Sequence, residues 1–556
     1  MKKNIQEKQA IAELLASKIN TRKELMKVKR KIAKKYGVGI FGNSEILKEL
    51  NKFSVEMQNF ASLRRLLRKR AVRTMSGIAP VAVLTKPHPC PGKCAYCPTE
   101  KNVPQSYLSN EPAVMRAIRC NYNPYAQVQD RLRALIANGH EPTKIELIVI
   151  GGTWSCLPKK YKYWYVLNLF AGANRFRIFN NQYQISRQYS ISNNQYPITM
   201  SLTKIKERLS KEQKRNEKAK YKIIGLTLET RPDYIDEKEL LEMREFGCTR
   251  VEIGVQCLDD EILKLNKRGH GVKEIAEATF LLKQFGFKTT YHLMPGLPGS
   301  TPVKDFKMFK TLFSDERFQP DQIKFYPTVV TRGSLLYRWW KQGEYKPYSD
   351  KVLRSLIIKC KNIIPEYVRV IRLIRDIPGE SIIAGNLVTN LRQVMKDEGV
   401  KCRCIRCREA RERASITNCQ LRITNYFASG GMEYFIYFES KDAKILYGFC
   451  RLRLPNIVIA SRAAAERSNP SSFTARLYNI AMVRELHVYG ELISVGKNKK
   501  IQHAGLGKKL LAEAEKIALK NNYKKIAVIS GVGVRGYYRK LGYRLDRGYM
   551  VKTIGS

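Results

Sequence analysis

The chain has 556 residues, of which 44% are hydrophobic and 27% charged, and its formal charge is +52 from 101 Lys and Arg against 49 Asp and Glu. Length and apolar content exclude a disordered chain and allow two to four domains, and no stretch approaches the roughly 18 apolar residues that span a bilayer. The basic excess predicts a polyanionic partner, because Lys and Arg displace condensed counterions from phosphates.

The opening Met1-Lys2-Lys3, followed by Glu7 and Glu13, lacks the apolar core of a signal peptide. Thirteen cysteines, six of them in two tight clusters, suit a cytoplasmic protein whose thiols bind metal better than a disulfide scaffold. Residues 1–74 hold 20 Lys and Arg against 6 Glu and no Asp. In Leu25–Ala33 and Leu63–Arg70 apolar residues recur at three- and four-residue steps, which predicts amphipathic helices with a basic face. A basic helical domain over 1–75 that binds nucleic acid is expected; the plain alternatives are a solvated face or a membrane-surface helix.

Next comes Pro87–Pro98, which carries Cys90, Cys94 and Cys97 with the spacing Cys-x3-Cys-x2-Cys. A structural zinc wants four closed ligands, whereas three thiolates on a [4Fe–4S] cube leave one iron open. An open iron of this kind serves radical S-adenosylmethionine (SAM) chemistry, and an aromatic residue before the third cysteine, Tyr96, suits that pattern. A zinc loop is the bland alternative.

Lys144–Ile150 reads as a buried parallel strand ending in Gly151-Gly152-Thr153, where a ligand can approach the backbone closely. Further strands are predicted at Ile223–Asp233, Arg250–Gln256, Lys288–Gly299 and Gln322–Pro327, with helices such as Asp236–Phe246 and Val272–Phe285 between them. That alternation predicts a parallel α/β barrel over 76–395, with Glu229, Arg231, Gln256 and His292 at strand C-terminal ends, where such barrels keep their active sites. Residues 170–200, rich in Asn, Gln, Tyr, Ile and Ser, are expected to form a surface insertion. A second cluster, Cys402, Cys404 and Cys407, marks a linker over 396–420; it suits a structural zinc whose fourth ligand, Cys360 or a histidine, is open.

The tail, 421–556, has a strand at Val483–Tyr489. A glycine turn, Gln502-His503-Ala504-Gly505-Leu506-Gly507, then opens a helix at Lys508–Lys520 and offers backbone N–H groups to a pyrophosphate. Strand Lys525–Ser530 and the segment Val534–Tyr543, with Tyr537 and Tyr538, complete the order of a GNAT-type acetyltransferase of α+β fold. A tyrosine there can protonate a leaving thiolate, while aromatic packing is the plain alternative for either ring.

Together, Pro87-His88-Pro89-Cys90 through Cys97, Gly151–Thr153, Leu226–Asp233, Cys402–Cys407, Arg484-Glu485-Leu486-His487-Val488-Tyr489-Gly490 and Tyr537–Tyr543 resemble the catalytic-subunit family of Elongator, in its shorter bacterial or archaeal form. The resemblance implies a partial TIM-type radical SAM barrel followed by a GNAT domain. It implies that Cys90, Cys94 and Cys97 hold a [4Fe–4S] cluster, that Gly151, Gly152, Thr153 and Glu229 hold SAM, and that Cys402, Cys404 and Cys407 hold Zn2+. Acetyl-CoA would be held by Gln502–Gly507 and by the strand Glu485, Leu486, His487 and Val488. Tyr537, Tyr538 and Lys324 would act near the thioester.

The implied reaction is carboxymethylation of the tRNA wobble uridine at C5. A 5′-deoxyadenosyl radical takes hydrogen from the acetyl methyl, the carbon radical adds to the base, and the thioester is hydrolysed. The partners implied are the tRNA anticodon loop and an electron donor of unidentified kind, with a homodimer left open and no membrane involved. Two rival readings are a protein lysine acetyltransferase with a purely structural cluster, and a tRNA-binding scaffold without activity. The 170–200 insertion and an extended loop at 457–473 depart from the family pattern without touching a motif.

Overall fold

The computed structural model describes residues 2–50, 58–69, 74, 76–177, 200–388, 391–410, 419–456, 477, 479–490 and 505–555. Gln502, His503, Ala504, the 457–473 loop and most of the 170–200 insertion lie outside the described residues.

Helices Lys2–Ala16, Arg22–Tyr36, Asn43–Leu50 and Gln58–Leu67 open the chain. Their apolar stripes, with Leu14, Leu25, Ile32, Ile46, Leu47 and Leu67, close into a core of their own, which turns most Lys and Arg outward. His140 ties this unit to the barrel beside it, its Nδ1 2.9 Å from Thr74 Oγ1 and its Nε2 3.1 Å from the Lys69 carbonyl.

The barrel unit is open on one side, a half-barrel. Strands β1 (Ala79–Leu84), β2 (Lys144–Ile150), β3 (Lys222–Thr230), β4 (Arg250–Gln256), β5 (Lys288–Leu293), β6 (Gln322–Phe325) and β8 (Arg369–Arg372) pair in chain order, every pair parallel. A small ribbon of β7 (Val330–Thr331) and β9 (Ile382–Ala384) sits beside it. Alternation sets the two faces of the sheet. Val251, Ile253 and Val255 of β4 pack in the main core, whereas Arg250 and Glu252 of the same strand point to polar partners on β2 and β6. The expected insertion begins later than the composition suggests. Phe170, Ala171 and Ala173 lie buried in the helix Lys159–Asn174, and Phe176 meets Tyr221 edge-on at 5.1 Å, so residues 170–176 belong to the barrel core.

The third unit is a seven-stranded sheet ordered β10 (Cys419–Ala428), β11 (Gly431–Ser440), β12 (Leu446–Pro455), β13 (Ala481–Val488), β14 (Lys525–Val528), β16 (Tyr549–Thr553) and β15 (Arg544–Asp546). Among these described strands only β13 and β14 run parallel. This sheet covers the floor of the half-barrel, the end where its strands begin. Arg484 donates to both oxygens of Asp321 (2.5 and 2.8 Å), just before β6, and to the Phe287 carbonyl (2.9 Å), just before β5. Arg451 donates to the Tyr367 carbonyl (2.6 Å), and Tyr549 to that of Phe285 (2.8 Å). No described helix is long and apolar enough to cross a membrane.

Asp321 is fully buried. Burial would push its carboxyl up, but Arg484, Arg451 and Lys283 hold it far below the usual carboxylate range. Removing one partner of a buried ion pair strands the others, so Asp321→Asn is expected to destabilise the chain by about 3–5 kcal/mol. Thermal unfolding of the two proteins measures this; a midpoint unchanged within error would contradict it.

Candidate active site

The cysteine loop leaves the end of β1 at the mouth of the half-barrel and is anchored from several directions. Ala95 N–H donates to the Asn266 carbonyl (3.1 Å), Leu336 N–H to that of Ala95 (2.8 Å), and Thr99 N–H to that of Gly333 (3.1 Å). Buried Arg268 donates from Nη1 to Cys94 Sγ (3.1 Å) and from Nη2 to the Gly254 carbonyl (2.5 Å). The Cys97 thiol hydrogen-bonded to Cys94 brings the latter's pKa down to about 5, with Arg268 and Arg231 adding to this against the opposing effect of burial. This setting favours the thiolate, the form that binds metal. Cys90 Sγ lies 3.9 Å from Thr153 Oγ1.

Among the described residues, the one trio of ligand atoms within 4.8 Å of one another belongs to Cys402, Cys404 and Cys407. The thiols of Cys90, Cys94 and Cys97 do not all lie within that distance of one another, although Cys94 and Cys97 share a hydrogen bond. Around them Tyr96 Oη, Arg231 Nη1 and Arg268 Nε are buried without a hydrogen-bond partner, donors available to a group the loop encloses.

Beside the loop, Gly151 (φ 131) and Gly152 (φ 96) adopt backbone angles that side chains rarely take, and a Cβ on Gly151 would collide with Thr85 Oγ1. The strand ends thus meet closely and leave Thr153 to begin the short turn Trp154–Cys156. Glu229, at the end of β3, accepts from Tyr107 Oη (3.0 Å) and lies 3.6 Å from His292 Nδ1.

Below the mouth the lumen is polar. Lys324 of β6 pairs with Glu252 of β4, and His292 Nε2 is 2.9 Å from the same Glu252 oxygen. Arg250 reaches Glu146 (3.2 Å) and donates to Gln322 Oε1 (3.0 Å) and Thr227 Oγ1 (2.8 Å). Burial pushes the Glu252 carboxyl up, yet Lys324, His292 and Arg250 outweigh it and hold the group well below its ordinary value. Of the other expected mouth residues, Arg231 is bound by Asp233 (2.8 and 3.0 Å), and Gln256 holds the left-handed φ of 64 where β4 ends.

At the floor, β13 pairs with β14 only through Ala481–Val483 and then runs on to Val488 against β12, so the two parallel strands part. Gly505 (φ 78) caps the helix Leu506–Lys520, whose first turn has N–H groups beyond the reach of the helix's own carbonyls. A Cβ on Gly507 would sit 3.1 Å from Tyr537 Oη and 3.7 Å from Val488 Cγ2, which gathers the helix start, the strand end and one tyrosine hydroxyl. The two tyrosines separate here. Tyr537 is half-buried with its hydroxyl at this turn, whereas Tyr538 is buried between Tyr537 and Tyr543, with centroids at 5.2 and 5.9 Å.

The β13 side chains separate as well. Glu485 binds Lys288 (3.3 Å) and Arg451 (3.1 Å), and His487 Nε2 lies 3.0 Å from the Ser76 carbonyl. Both are thus taken up by the barrel floor, while Leu486 and Val488 point the other way.

In the second cysteine cluster, hydrogen bonds from the Cys402 and Cys407 thiols hold the Cys404 thiol well below its ordinary value against the opposing effect of burial. Spacings under 4.8 Å match a tetrahedral ion, since Zn–S bonds of about 2.3 Å put sulfurs about 3.8 Å apart. Cys360 is not in this trio. Arg268, Glu252 and Tyr107 help build the site without having been singled out by sequence. For Glu252 a signal existed, since Arg250, Glu252 and Gln256 alternate with Val251, Ile253 and Val255.

Comparison with known proteins agrees with this architecture. The Radical SAM superfamily pattern matches residues 192–310, the Radical_SAM C-terminal domain 320–399, and the Acetyltransferase (GNAT) family 447–543. The chain is 43% identical over 499 residues to a Dehalococcoides mccartyi protein named tRNA uridine(34) acetyltransferase, covering 87% of this chain and 100% of that one. It is 37% identical over 555 residues to human Elongator complex protein 3, covering 96% and 93%. The solved structure of the archaeal Methanocaldococcus infernus Elp3 with an N-terminal deletion superposes with a TM-score of 0.68 at 36% identity, covering 86% of this chain and 100% of that one. A radical SAM half-barrel whose floor carries a GNAT sheet, with relatives matched along nearly their whole length, shows that this chain belongs to the Elongator protein 3 family.

Proposed function

We propose that this enzyme modifies the wobble uridine of tRNA at C5, drawing on acetyl-CoA and SAM and leaving a carboxymethyl group. The observation that carries the reading is the sharing of one half-barrel by a cysteine loop at its mouth and an acetyltransferase groove at its floor, with a charged lumen between them. Relatives named for tRNA uridine(34) support the substrate, as do the four outward-basic helices at the N-terminus. A single-stranded anticodon loop lets a base be extruded at little cost.

Bound in these sites, the cluster and SAM supply a 5′-deoxyadenosyl radical, and acetyl-CoA supplies the two carbons transferred. The chain's own part is to hold and orient. Cys90, Cys94 and Cys97 ligate the cluster, and the backbone of Gly151–Thr153 with Glu229 takes the amino and ribose ends of SAM. The N–H groups at Gly505–Gly507, with Gln502–Ala504 before them, take the pyrophosphate. Leu486 and Val488 flank the pantetheine arm, and the Tyr537 hydroxyl gives a proton to the leaving thiolate. Lys324, kept protonated by Glu252 against burial, offers a positive hydrogen-bond donor inside the lumen. Zn2+ at Cys402, Cys404 and Cys407 braces the junction of barrel and tail.

Anaerobic protein given tRNA, SAM, acetyl-CoA and a reductant is expected to yield 5-carboxymethyluridine by nucleoside mass spectrometry, with deuterium from the acetyl methyl appearing in 5′-deoxyadenosine. Cys94→Ala should abolish both. Peptide acetylation that survives Cys94→Ala, without any nucleoside product, would sink the reading in favour of a lysine acetyltransferase.

The two tyrosines provide an internal contrast. Tyr537→Phe should slow product formation by about 100-fold or more, the usual contribution of a general acid, while Tyr538→Phe should stay within a few-fold of the parent. Equal effects would argue that Tyr537 only packs. Elemental analysis is expected to find one zinc per chain beside the iron. Cys404→Ser should lose the zinc and keep the iron, and zinc retained in that variant would remove the assignment.

A further inference from the structure

Where the acetyltransferase sheet meets the barrel floor, one glycine leaves room at the bottom of the lumen. Alternation along β3 puts Gly225 on the same face as Thr227, whose hydroxyl accepts from Arg250 inside the lumen. A Cβ at 225 would lie 3.4 Å from Thr249 Oγ1 and 3.5 Å from Glu146 Cγ, ordinary contact distances, and Gly225 is not among the glycines with positive φ. Glycine here therefore supplies space, not a special turn. The register of β2 and β3 also shifts at this point, where Gly225 pairs with Glu146. The Glu146 side chain keeps 17% exposure against 1% for Glu252, so the lumen is less closed here than at its middle.

The sheet reaches this spot just where its two parallel strands separate. Ile529 N–H still donates to the Val483 carbonyl (3.1 Å), and Ser530 is the next residue. A Cβ on Gly531 would run into the Ile224 carbonyl and stand 3.0 Å from the Gly225 nitrogen, so the chain after Ser530 presses on β3 at the glycine. Ser530 and Thr249 are 2% and 4% exposed, and each buries its hydroxyl oxygen without a hydrogen-bond partner among the described residues. Two such hydroxyls are costly unless a group from outside the chain meets them. The Glu146 carboxylate beside them disfavours an anion, whereas an uncharged carbonyl oxygen has two lone pairs and takes both donors.

We infer that Ser530 and Thr249 hold the acyl oxygen of the thioester, and that the acyl group enters the lumen past Gly225. This rests on the proposed function, since acetyl-CoA must lie in the tail's groove for its acyl end to arrive here. Neither hydroxyl makes or breaks a covalent bond. Each donates a hydrogen bond to the carbonyl oxygen and so turns the methyl group toward the lumen.

The test reads the carbonyl itself. Acetyl-CoA labelled with 13C at the carbonyl is added to the full-length protein without SAM or reductant, and its C=O stretch is followed by infrared difference spectroscopy. The bound stretch is expected below that of free acetyl-CoA. In the double variant Ser530→Ala, Thr249→Val it should return toward the free value, and acetyl-CoA affinity should weaken about 10-fold, the loss of two neutral hydrogen bonds. Thr249→Ser keeps the hydroxyl and should keep the lowered stretch. Under full assay conditions Gly225→Val, which fills the passage, should cut the deuterium carried from the acetyl methyl into each 5′-deoxyadenosine by about 10-fold or more. Gly225→Ala should cut it far less.

A bound stretch equal to that of free acetyl-CoA would overturn the inference and leave water as the partner of both hydroxyls. So would a lowered stretch that the double variant retains, or deuterium transfer undiminished in Gly225→Val. A valine variant that does not fold is seen in its thermal midpoint, and the hydroxyl variants then decide. Parent protein that shows the lowered stretch but forms no 5-carboxymethyluridine would speak against the proposed function and leave the two hydroxyls assigned.

Discussion

One buried carboxylate joins the two catalytic halves. Asp321 accepts from Arg484 of β13 through both oxygens, lies 3.5 Å from Arg451 of β12, and also receives the Thr289 N–H of β5 at 2.9 Å. Around it Glu433 takes Arg453 (3.0 Å) and Arg484 (2.9 Å), so that each of these charges has an opposite neighbour. Such a cluster adds little net stability over a well-packed apolar seam. What it does supply is direction, because bidentate guanidinium–carboxylate pairs fix register in a way that sliding aliphatic surfaces do not. The parting strands β13 and β14 are thereby set against the floor of the half-barrel in a single orientation.

That orientation gives the lumen its meaning. The interior of an ordinary parallel barrel is filled by layers of Val, Ile and Leu. Here the strands keep their apolar residues for the helix side and turn Arg250, Glu252, His292, Gln322 and Lys324 inward. Leaving a single charge there would be prohibitive. Pairing Lys324 and Arg250 with Glu252 and Glu146 avoids that penalty and keeps polar atoms along the line from floor to mouth.

Sequence pattern revealed most of this frame, and its omissions have physical causes. The long amphipathic segments showed themselves: the expected helices 236–246 and 272–285 are found at Glu237–Glu245 and Val272–Gln284. Both edge strands of the barrel escaped. Pro80 in β1 argues against a strand anywhere except at an edge, which is where β1 lies, and β8 is four residues long with an arginine at each end. Motif residues were legible by type but not by the direction of their side chains. Glu485 and His487 sit in the motif that the family resemblance gives to acetyl-CoA, yet strand alternation turns them into the seam. Tyr537 and Tyr538 are adjacent in sequence, and only packing distinguishes the one at the helix start from the one in the core. Arg268 is 174 residues from Cys94, a separation over which no local pattern reports contact.

The two cysteine trios make the same point about metals. Both place three thiols within eight residues, and spacing alone marks each as a metal site. Around Cys402, Cys404 and Cys407 the bonds that shape the turn are short-range, Cys407 N–H to the Cys404 carbonyl (3.0 Å) and Glu409 N–H to that of Ile405 (2.9 Å), and the sulfurs draw together. Around Cys90, Cys94 and Cys97 the loop also hangs from Asn266, Gly333 and Leu336, elements far apart in the chain, and the three sulfurs are not all drawn together. A compact trio matches one small tetrahedral ion, whereas a loop hung from several directions and ringed by buried unpaired donors suits a larger inorganic body. What such a trio can hold is therefore set as much by the elements its loop hangs from as by the spacing of its cysteines.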